Sequence, residues 1–144
     1  MVRAIIGVIV GYITMFVFIF ASFSAAYFAM GADRAFKPGV YEVSILWTAI
    51  SFILGLIASI LGGFVCVKIA RRPKPGFVLA GIALVLGIAM AFPAVAKPDP
   101  GPRAADVSNL EAMSKAKQPA WIAFFNPILG AAGIALGVRL ASRR

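Results

Sequence analysis

Four long apolar segments without a charged residue divide the chain. They cover residues 4–32, 43–67, 75–96 and 118–138, and they are 29, 25, 22 and 21 residues long. A bilayer core about 30 Å thick requires roughly 20 helical residues at about 1.5 Å each. Each segment reaches this length, so the pattern predicts an all-α integral membrane protein with four transmembrane helices. The expected spans are about 4–30, 44–67, 77–96 and 119–138.

Four spans place both termini on the same side of the membrane. We therefore expect a single membrane domain, residues 1–144, made of one helical hairpin over 1–72 and a second over 73–144. The second helix of each half begins with Trp-x-Ala, continues to Ile-Leu-Gly, and ends in a basic residue, an aliphatic residue, Ala and nearby arginines. This similarity indicates a weak parallel repeat, although apolar sequence of low complexity produces such similarity readily.

The first apolar segment also bears on processing of the N-terminus. It is much longer than the core of a signal peptide, which has about 7–15 residues. We therefore expect an uncleaved first helix.

The basic residues favour one orientation of these spans. The chain has 14 Lys and Arg residues against 5 Asp and Glu residues, a net charge of +9. The termini and the 68–74 turn carry basic residues only: Arg3, Lys68, Arg71, Arg72, Lys74, Arg139, Arg143 and Arg144. All acidic residues lie in the longer loops, 31–42 and 97–117, together with the other six basic residues.

The positive-inside rule counts Lys and Arg near the spans. It predicts that both termini and the 68–74 turn are cytoplasmic. The general character of the chain is that of a small multi-pass protein of the bacterial plasma (inner) membrane, which is the location we expect. We expect Lys68, Arg71, Arg72, Lys74, Arg139, Arg143 and Arg144 to fix this topology and to contact anionic lipid headgroups. Nucleic acid is not an expected partner, because the cations flank apolar spans and no nucleic-acid-binding motif accompanies them.

The spans contain few groups that carry chemistry. They hold no charged residue, the chain has no His, and Cys66 is its single cysteine. Buried charges usually mark proton relays and ion pathways, so proton-coupled transport is disfavoured. No enzyme signature such as G-x-S-x-G, a P-loop or H-E-x-x-H is present. We therefore expect no enzyme, no catalytic residue, no cofactor and no metal site.

Asn126 and Pro127 interrupt the apolar pattern of the fourth span. A proline inside a helix lacks an amide hydrogen and frees a carbonyl one turn earlier. Asn126 either satisfies such a group at a structural kink or lines a ligand site or pore. The sequence leaves both interpretations open.

Small residues recur at helical spacing in every span. They let helix backbones approach closely where lipid provides no hydrophobic driving force. The expected helix-packing positions are Gly7, Gly11, Ser51, Gly55, Ser59, Gly63, Gly87, Gly130, Gly133 and Gly137. They pack either within this one bundle or against a helix of another protein or another copy.

Two hypotheses of function follow. The first is a non-catalytic four-helix-bundle protein that acts as an accessory or scaffolding subunit of a larger membrane complex. The alternative is a passive channel or carrier for a small neutral solute that uses the Asn126–Pro127 break.

The longer outer loop carries one further local signal. Ser108 and Glu111 have the spacing of a capping box, in which a serine side chain caps the start of a helix. This spacing predicts a short helix shortly after the proline-rich segment 97–102.

Overall fold

A computed structural model describes residues 1–143. Its long helices are α1 (Val2–Met30), α3 (Ile45–Ala70), α4 (Lys74–Val95) and α6 (Ala120–Ser142), and its short helices are α2 (Ala32–Ala35) and α5 (Asn109–Ser114). Each long helix is long and apolar enough to cross a membrane. The described residues form no β-strand, only two isolated bridges. The prediction of an all-α protein with four helices of membrane-spanning length is confirmed.

Local sequence explains where α3 begins and ends, and where α4 begins. The side chain of Ser44 caps the start of α3 by accepting a hydrogen bond from the amide of Trp47. Arg71 ends the helix in the left-handed conformation, with φ of 57°. Pro73 and Pro75 then start α4, because proline lacks the amide hydrogen that the first helical turn leaves unpaired. Only three residues, 71–73, join the two helices.

Both α3 and α6 continue beyond the uncharged segments that predicted them. Lys68 lies in the last turn of α3, and Arg139 in that of α6. Backbone hydrogen bonds define the end of a helix, whereas hydropathy marks only its apolar part. Long basic side chains extend from such helix ends towards water while their stems stay apolar.

The long helices pack in the order α1, α3, α6, α4, and α4 also contacts α1. The start of α1 lies against the end of α3, since Gly7 is beside Cys66 and Ala70. Helices α3 and α6 run in the same direction, since Phe52 packs on Trp121 and Gly63 lies beside Ile134. Helices α4 and α6 run in opposite directions, with these pairs in contact: Gly76 with Val138, and Gly87 with Pro127.

This packing gives the bundle two different ends. The turn end contains the N-terminus, residues 71–73 and the last turns of α6. A core of buried side chains fills the bundle there: Met15, Cys66, Val67, Leu79, Ala80, Ile134, Val138 and Ala141. The opposite end, the loop end, carries the longer connections 31–44 and 96–119.

At the loop end the two connections join into one structure, which we call the cap (residues 31–44 and 96–119). The amide of Val43 donates to the carbonyl of Lys117, and the amide of Lys117 donates to the carbonyl of Tyr41. A second core of buried residues lies beneath: Tyr27, Ala35, Phe36, Tyr41, Val43 and Ala112. The cap thus covers the loop end of the bundle with a small core of its own.

The short helix α5 belongs to this cap. The Ser108 hydroxyl accepts a hydrogen bond from the amide of Glu111 at 3.2 Å, which confirms the predicted helix start. Ala112 is fully buried in the cap core, whereas Leu110 is 80% exposed.

Candidate functional site

A cavity of about 660 Å³ lies between the four long helices and reaches the underside of the cap. All four helices contribute lining residues, and so do Phe36, Val43, Met113, Ala116 and Gln118 of the cap. Ligand pockets in proteins typically have volumes of about 300–1,000 Å³. The cavity is therefore large enough to hold a small molecule.

The cavity is closed towards the turn end. There α1 and α4 meet, since a side-chain carbon added at Gly11 would lie 2.9 Å from Leu79 Cδ2. Leu79, Cys66 and Ile134 are completely buried in the core beneath. At this level the described residues leave no comparable space between the helices.

The lining is mostly apolar and carries no charge among the described residues. Its polar members are Tyr12, Tyr27, Thr48, Ser51, Ser59, Gln118 and Asn126. Two hydroxyls are already engaged by their own helix: Ser59 Oγ donates to the Gly55 carbonyl at 2.7 Å, and Thr48 Oγ1 donates to the Ser44 carbonyl at 3.0 Å. The side chains of Ser51 and Asn126 form no hydrogen bond with another described residue, so their polar groups remain available.

Asn126 and Pro127 both face this space. Helix α6 continues through Pro127, whose ring packs against α4. A side-chain carbon on Gly87 would lie 2.8 Å from Pro127 Cβ, so the glycine provides room for the ring. The Asn126 amide does not bond the carbonyl of Ala123 that the proline leaves free. Asn126 is therefore placed as a cavity-lining residue rather than as a local partner of the kink.

The glycines of α6 lie close to α3. A side-chain carbon on Gly137 would collide with the carbonyl of Ile60, and one on Gly133 would lie 2.7 Å from Ser59 Cβ. On the α3 side of the same contact, a side-chain carbon on Gly63 would collide with the carbonyl of Ile134 in α6. Backbone atoms, which oppose Gly63 and Gly137, cannot move aside as the end of a flexible side chain can, and neither can the Cβ of Ser59 that opposes Gly133. These positions therefore require glycine at this helix spacing.

Two glycines of α1 serve the same purpose against α3. A side-chain carbon would lie 2.7 Å from the Cys66 carbonyl at Gly7 and 2.8 Å from the Gly62 carbonyl at Gly11. Gly62 itself faces Met15 across the same contact. The close approach of α1 to α3 at the turn end rests on these small residues.

The small residues of α3 at every fourth position, Ser51, Gly55, Ser59 and Gly63, lie in two different surroundings. Ser59 is 2% exposed and lies at the contact with α6. Gly55 and Ser51, one and two turns earlier, line the cavity, and no heavy atom lies within 4 Å of the place of a side-chain carbon on Gly55. Gly130 of α6 has only an ordinary contact with Ser59, at 3.6 Å. Gly55 thus faces empty space where the sequence pattern suggested a neighbouring helix.

The basic residues of the turn end are exposed. This holds for Arg3, Lys68, Arg71, Arg72, Lys74, Arg139 and Arg143, whereas Arg144 lies outside the described residues. None of the seven forms an ion pair with a described acidic residue. The ion pairs found in residues 1–143 all lie in the cap. A smaller cavity of about 330 Å³ lies between α4 and α6, lined by Phe77, Arg139 and Arg143 among others.

Several cavity-lining residues could not be identified from the sequence. Phe16 and Phe23 of α1 and Leu86 and Met90 of α4 all line the space. A helix that is apolar on all sides gives no periodic signal to tell one face from another. In the sequence, this site is marked by Asn126 and Pro127, whose pattern indicates a polar kink or a pore.

Comparisons with protein-family models, curated proteins and solved structures find no significant match to this chain.

Proposed function

We propose that this protein is a non-catalytic multi-pass membrane protein that binds a small neutral solute in the cavity between its four long helices. The observation that carries the proposal is the cavity itself, about 660 Å³ in volume and lined by all four helices without a charged residue. This is the binding step of the channel or carrier hypothesis that Asn126 and Pro127 suggested.

The chemistry of the lining supports a neutral ligand. An ion in an apolar cavity loses its hydration and needs a partner of opposite charge, which this lining lacks. A neutral molecule loses far less hydration free energy when it enters the cavity. It can also form hydrogen bonds with Ser51 and Asn126. These two side chains provide a hydroxyl and an amide, which donate to and accept from a polar substituent.

Passage through the protein would require more than binding. The packed core around Cys66, Leu79 and Ile134 separates the cavity from the turn end. A carrier would have to open this core during each cycle. We therefore propose binding as the function and treat transport as a further step that flux into liposomes would reveal.

A binding experiment tests the proposal. In the Trp121→Phe variant, Trp47, which lines the cavity, is the remaining tryptophan. A neutral dimethylaminonaphthalene ketone, added from solution to the protein in nanodiscs, accepts excitation energy from Trp47 when it binds nearby. We expect saturable energy transfer with one site per chain, above the background of empty nanodiscs.

Two leucine substitutions form a matched pair for this experiment. Leucine at Gly55 projects into the cavity, whereas leucine at Gly81, outside the lining, meets nothing within 4 Å. We expect Gly55→Leu to weaken binding at least about tenfold, about 1.4 kcal/mol, and Gly81→Leu to leave it unchanged. Energy transfer that rises without saturation, or equally in both variants, would refute a cavity site.

The accessory-subunit hypothesis stays a prediction. The small residues that motivated it are now accounted for inside the chain, since Gly7, Gly11, Gly63, Gly133 and Gly137 face neighbouring helices of the same bundle. Purification in mild detergent as a monomer without a partner would count against it.

The same proposal includes the orientation in the membrane. We propose two helical hairpins with both termini on the cytoplasmic side of a bacterial inner membrane. Eight basic and no acidic residues on the side of the termini support this orientation. The exposed cations at the turn end, which have no acidic partner within residues 1–143, also favour contact with anionic lipid headgroups.

A further inference from the structure

The cavity has an opening on the side of the bundle. Seven of its lining residues are exposed, and five of them lie on α1 or α4: Tyr12 (44%), Phe16 (64%), Leu86 (46%), Met90 (70%) and Ala94. The other two, Met113 and Gln118, lie in the cap. The lining residues of α3 and α6, by contrast, are buried or half-buried. The cavity therefore opens between α1 and α4, on a surface that is apolar except for the Tyr12 hydroxyl.

The turn end and the side between α3 and α6 are obstructed. Helices α3 and α6 touch through Ser59, Gly63 and Gly133, and the core around Leu79 closes the turn end. The cap lies over the loop end, where the exposed residues Met113 and Gln118 also line the cavity. In a membrane, a side opening between two spanning helices faces lipid hydrocarbon rather than water.

The opening is also long in the direction of the helices. The lining stretch of α1 runs from Tyr12 to Tyr27, which is about 22 Å at about 1.5 Å per residue. It extends from the middle of the helix to the cap. An elongated molecule that lies parallel to the helices therefore suits this shape better than a compact polar solute.

Polar groups inside the cavity restrict the ligand further. Phe52 packs on Phe125, and Ser59 contacts Gly133, so Gly55 lies at about the level of Asn126. The open space beside Gly55 is thus next to the free amide of Asn126. A pure hydrocarbon that displaced water would leave this amide without a hydrogen-bond partner, which is unfavourable.

We propose that the cavity receives its ligand sideways from the bilayer, between α1 and α4, and that the ligand is an uncharged, membrane-dissolved amphiphile with an apolar chain and a carbonyl or hydroxyl group. The chain occupies the space along α1 and α4, and the oxygen group bonds to the Asn126 amide. This inference rests on the proposed function, since it names the ligand class and the entrance of the same cavity.

The test delivers the probe from the membrane. The Trp121→Phe protein is placed in phosphatidylcholine nanodiscs that contain a long-chain ketone with two bromine atoms on its chain. Bromine quenches tryptophan on contact, so a bound ketone quenches Trp47. The comparison probes are the dibrominated hydrocarbon of equal length and phosphatidylcholine with dibrominated chains.

We expect the ketone to quench Trp47 saturably, and the hydrocarbon to require about tenfold more probe for the same effect. Asn126→Leu should abolish the difference between ketone and hydrocarbon, since it removes the bonding partner. Gly55→Leu should remove the saturable quenching of both, and Gly81→Leu should retain it.

The possible failures are distinguishable. Equal and saturable quenching by ketone, hydrocarbon and brominated phosphatidylcholine that Gly55→Leu removes would overturn the ligand class, while the cavity and its side entrance would stand. If the membrane-delivered ketone fails to quench although the water-delivered dye still binds, entry from the bilayer is wrong. If neither probe binds saturably, the proposed function fails as well.

Discussion

Gly55 and Gly63 belong to one row of small residues on α3, yet the tertiary structure gives them opposite surroundings. Gly63 meets the backbone of Ile134, while nothing lies within 4 Å of the place of a side-chain carbon on Gly55. Spacing along the sequence is the same in both cases, since Ser59 stands midway between them. The difference comes from α6, which approaches α3 at Gly63 and lies further away at Gly55.

This contrast predicts the effect of a single added methyl group. Gly63→Ala should lower the free energy of unfolding in detergent by about 1–3 kcal/mol, because overpacking forces the two helices apart. The control is Gly81→Ala, since Gly81 is equally within a helix but faces open space. We expect it to be neutral or slightly stabilising, because alanine favours helix more than glycine does.

Thermal unfolding followed by circular dichroism measures both variants. Equal melting temperatures for Gly63→Ala and the unsubstituted protein would show that α3 and α6 do not approach closely at this point.

At the level of elements, the cap contains an ion pair in which one side chain is buried and the other is exposed. Arg103 Nη1 lies 3.2 Å from Asp33 Oδ1, and the arginine side chain is 6% exposed while the aspartate is 92% exposed. The guanidinium also lies over the ring of Phe36, with 5.9 Å to the ring centroid. Arg103 Nε has no hydrogen-bond partner among the described residues. The buried arginine therefore depends on Asp33 for compensation of its charge, whereas Asp33 is solvated without it.

This difference in exposure predicts that removing the exposed Asp33 destabilises the cap more than removing the buried Arg103. Asp33→Ala leaves a buried guanidinium without an acidic partner and should loosen the cap. Arg103→Met retains an apolar side chain over Phe36 and leaves only a solvated carboxylate, so its effect should be small. We expect amide hydrogen exchange at Val43 and Lys117 to quicken at least about tenfold in Asp33→Ala and to change little in Arg103→Met.

Exchange that is faster in Arg103→Met than in Asp33→Ala would contradict this account. It would mean that packing of the arginine stem, rather than its charge, holds the cap closed.

At the level of the whole molecule, charge is concentrated at one end. The turn end has exposed cations without described acidic partners, while the acidic residues lie in or beside the cap. Charged residues near short turns influence which end of a membrane protein stays in the cytoplasm. The turn between α3 and α4 contributes Lys68, Arg71, Arg72 and Lys74 to this imbalance.

Neutralising this turn tests the proposed orientation. Substitution of Lys68, Arg71, Arg72 and Lys74 by glutamine should produce a mixture of orientations, because fewer cations remain to retain the turn. Reporter fusions in the loop 97–118 measure how often that loop reaches the outer side. Four of the six lysines and arginines of the loops, Arg34, Lys37, Lys115 and Lys117, provide the matched substitution, which should make the orientation more uniform. An unchanged external fraction after neutralising the turn would show that it does not determine topology.

The sequence predicted the helices well because length and apolar composition are local properties. Four uncharged segments of sufficient length each became a helix, and the spacing of Ser108 and Glu111 predicted the start of α5. Helix ends differed by a few residues, since Lys68 and Arg139 stay helical although they are charged. The candidate site was predicted only at Asn126 and Pro127, where a polar side chain and a proline stood out from apolar surroundings.

By itself, the sequence determined the composition of the spans, the absence of charge within them and the excess of cations at one end, because each is fixed residue by residue. Which helix faces which was decided only by the tertiary structure. Helices that are apolar on every side carry no signal for their neighbours, so close contact at Gly63 and open space at Gly55 depend on how α6 lies against α3. The cavity and its opening between α1 and α4 arise from the same packing, because they are the space that four joined helices leave unfilled.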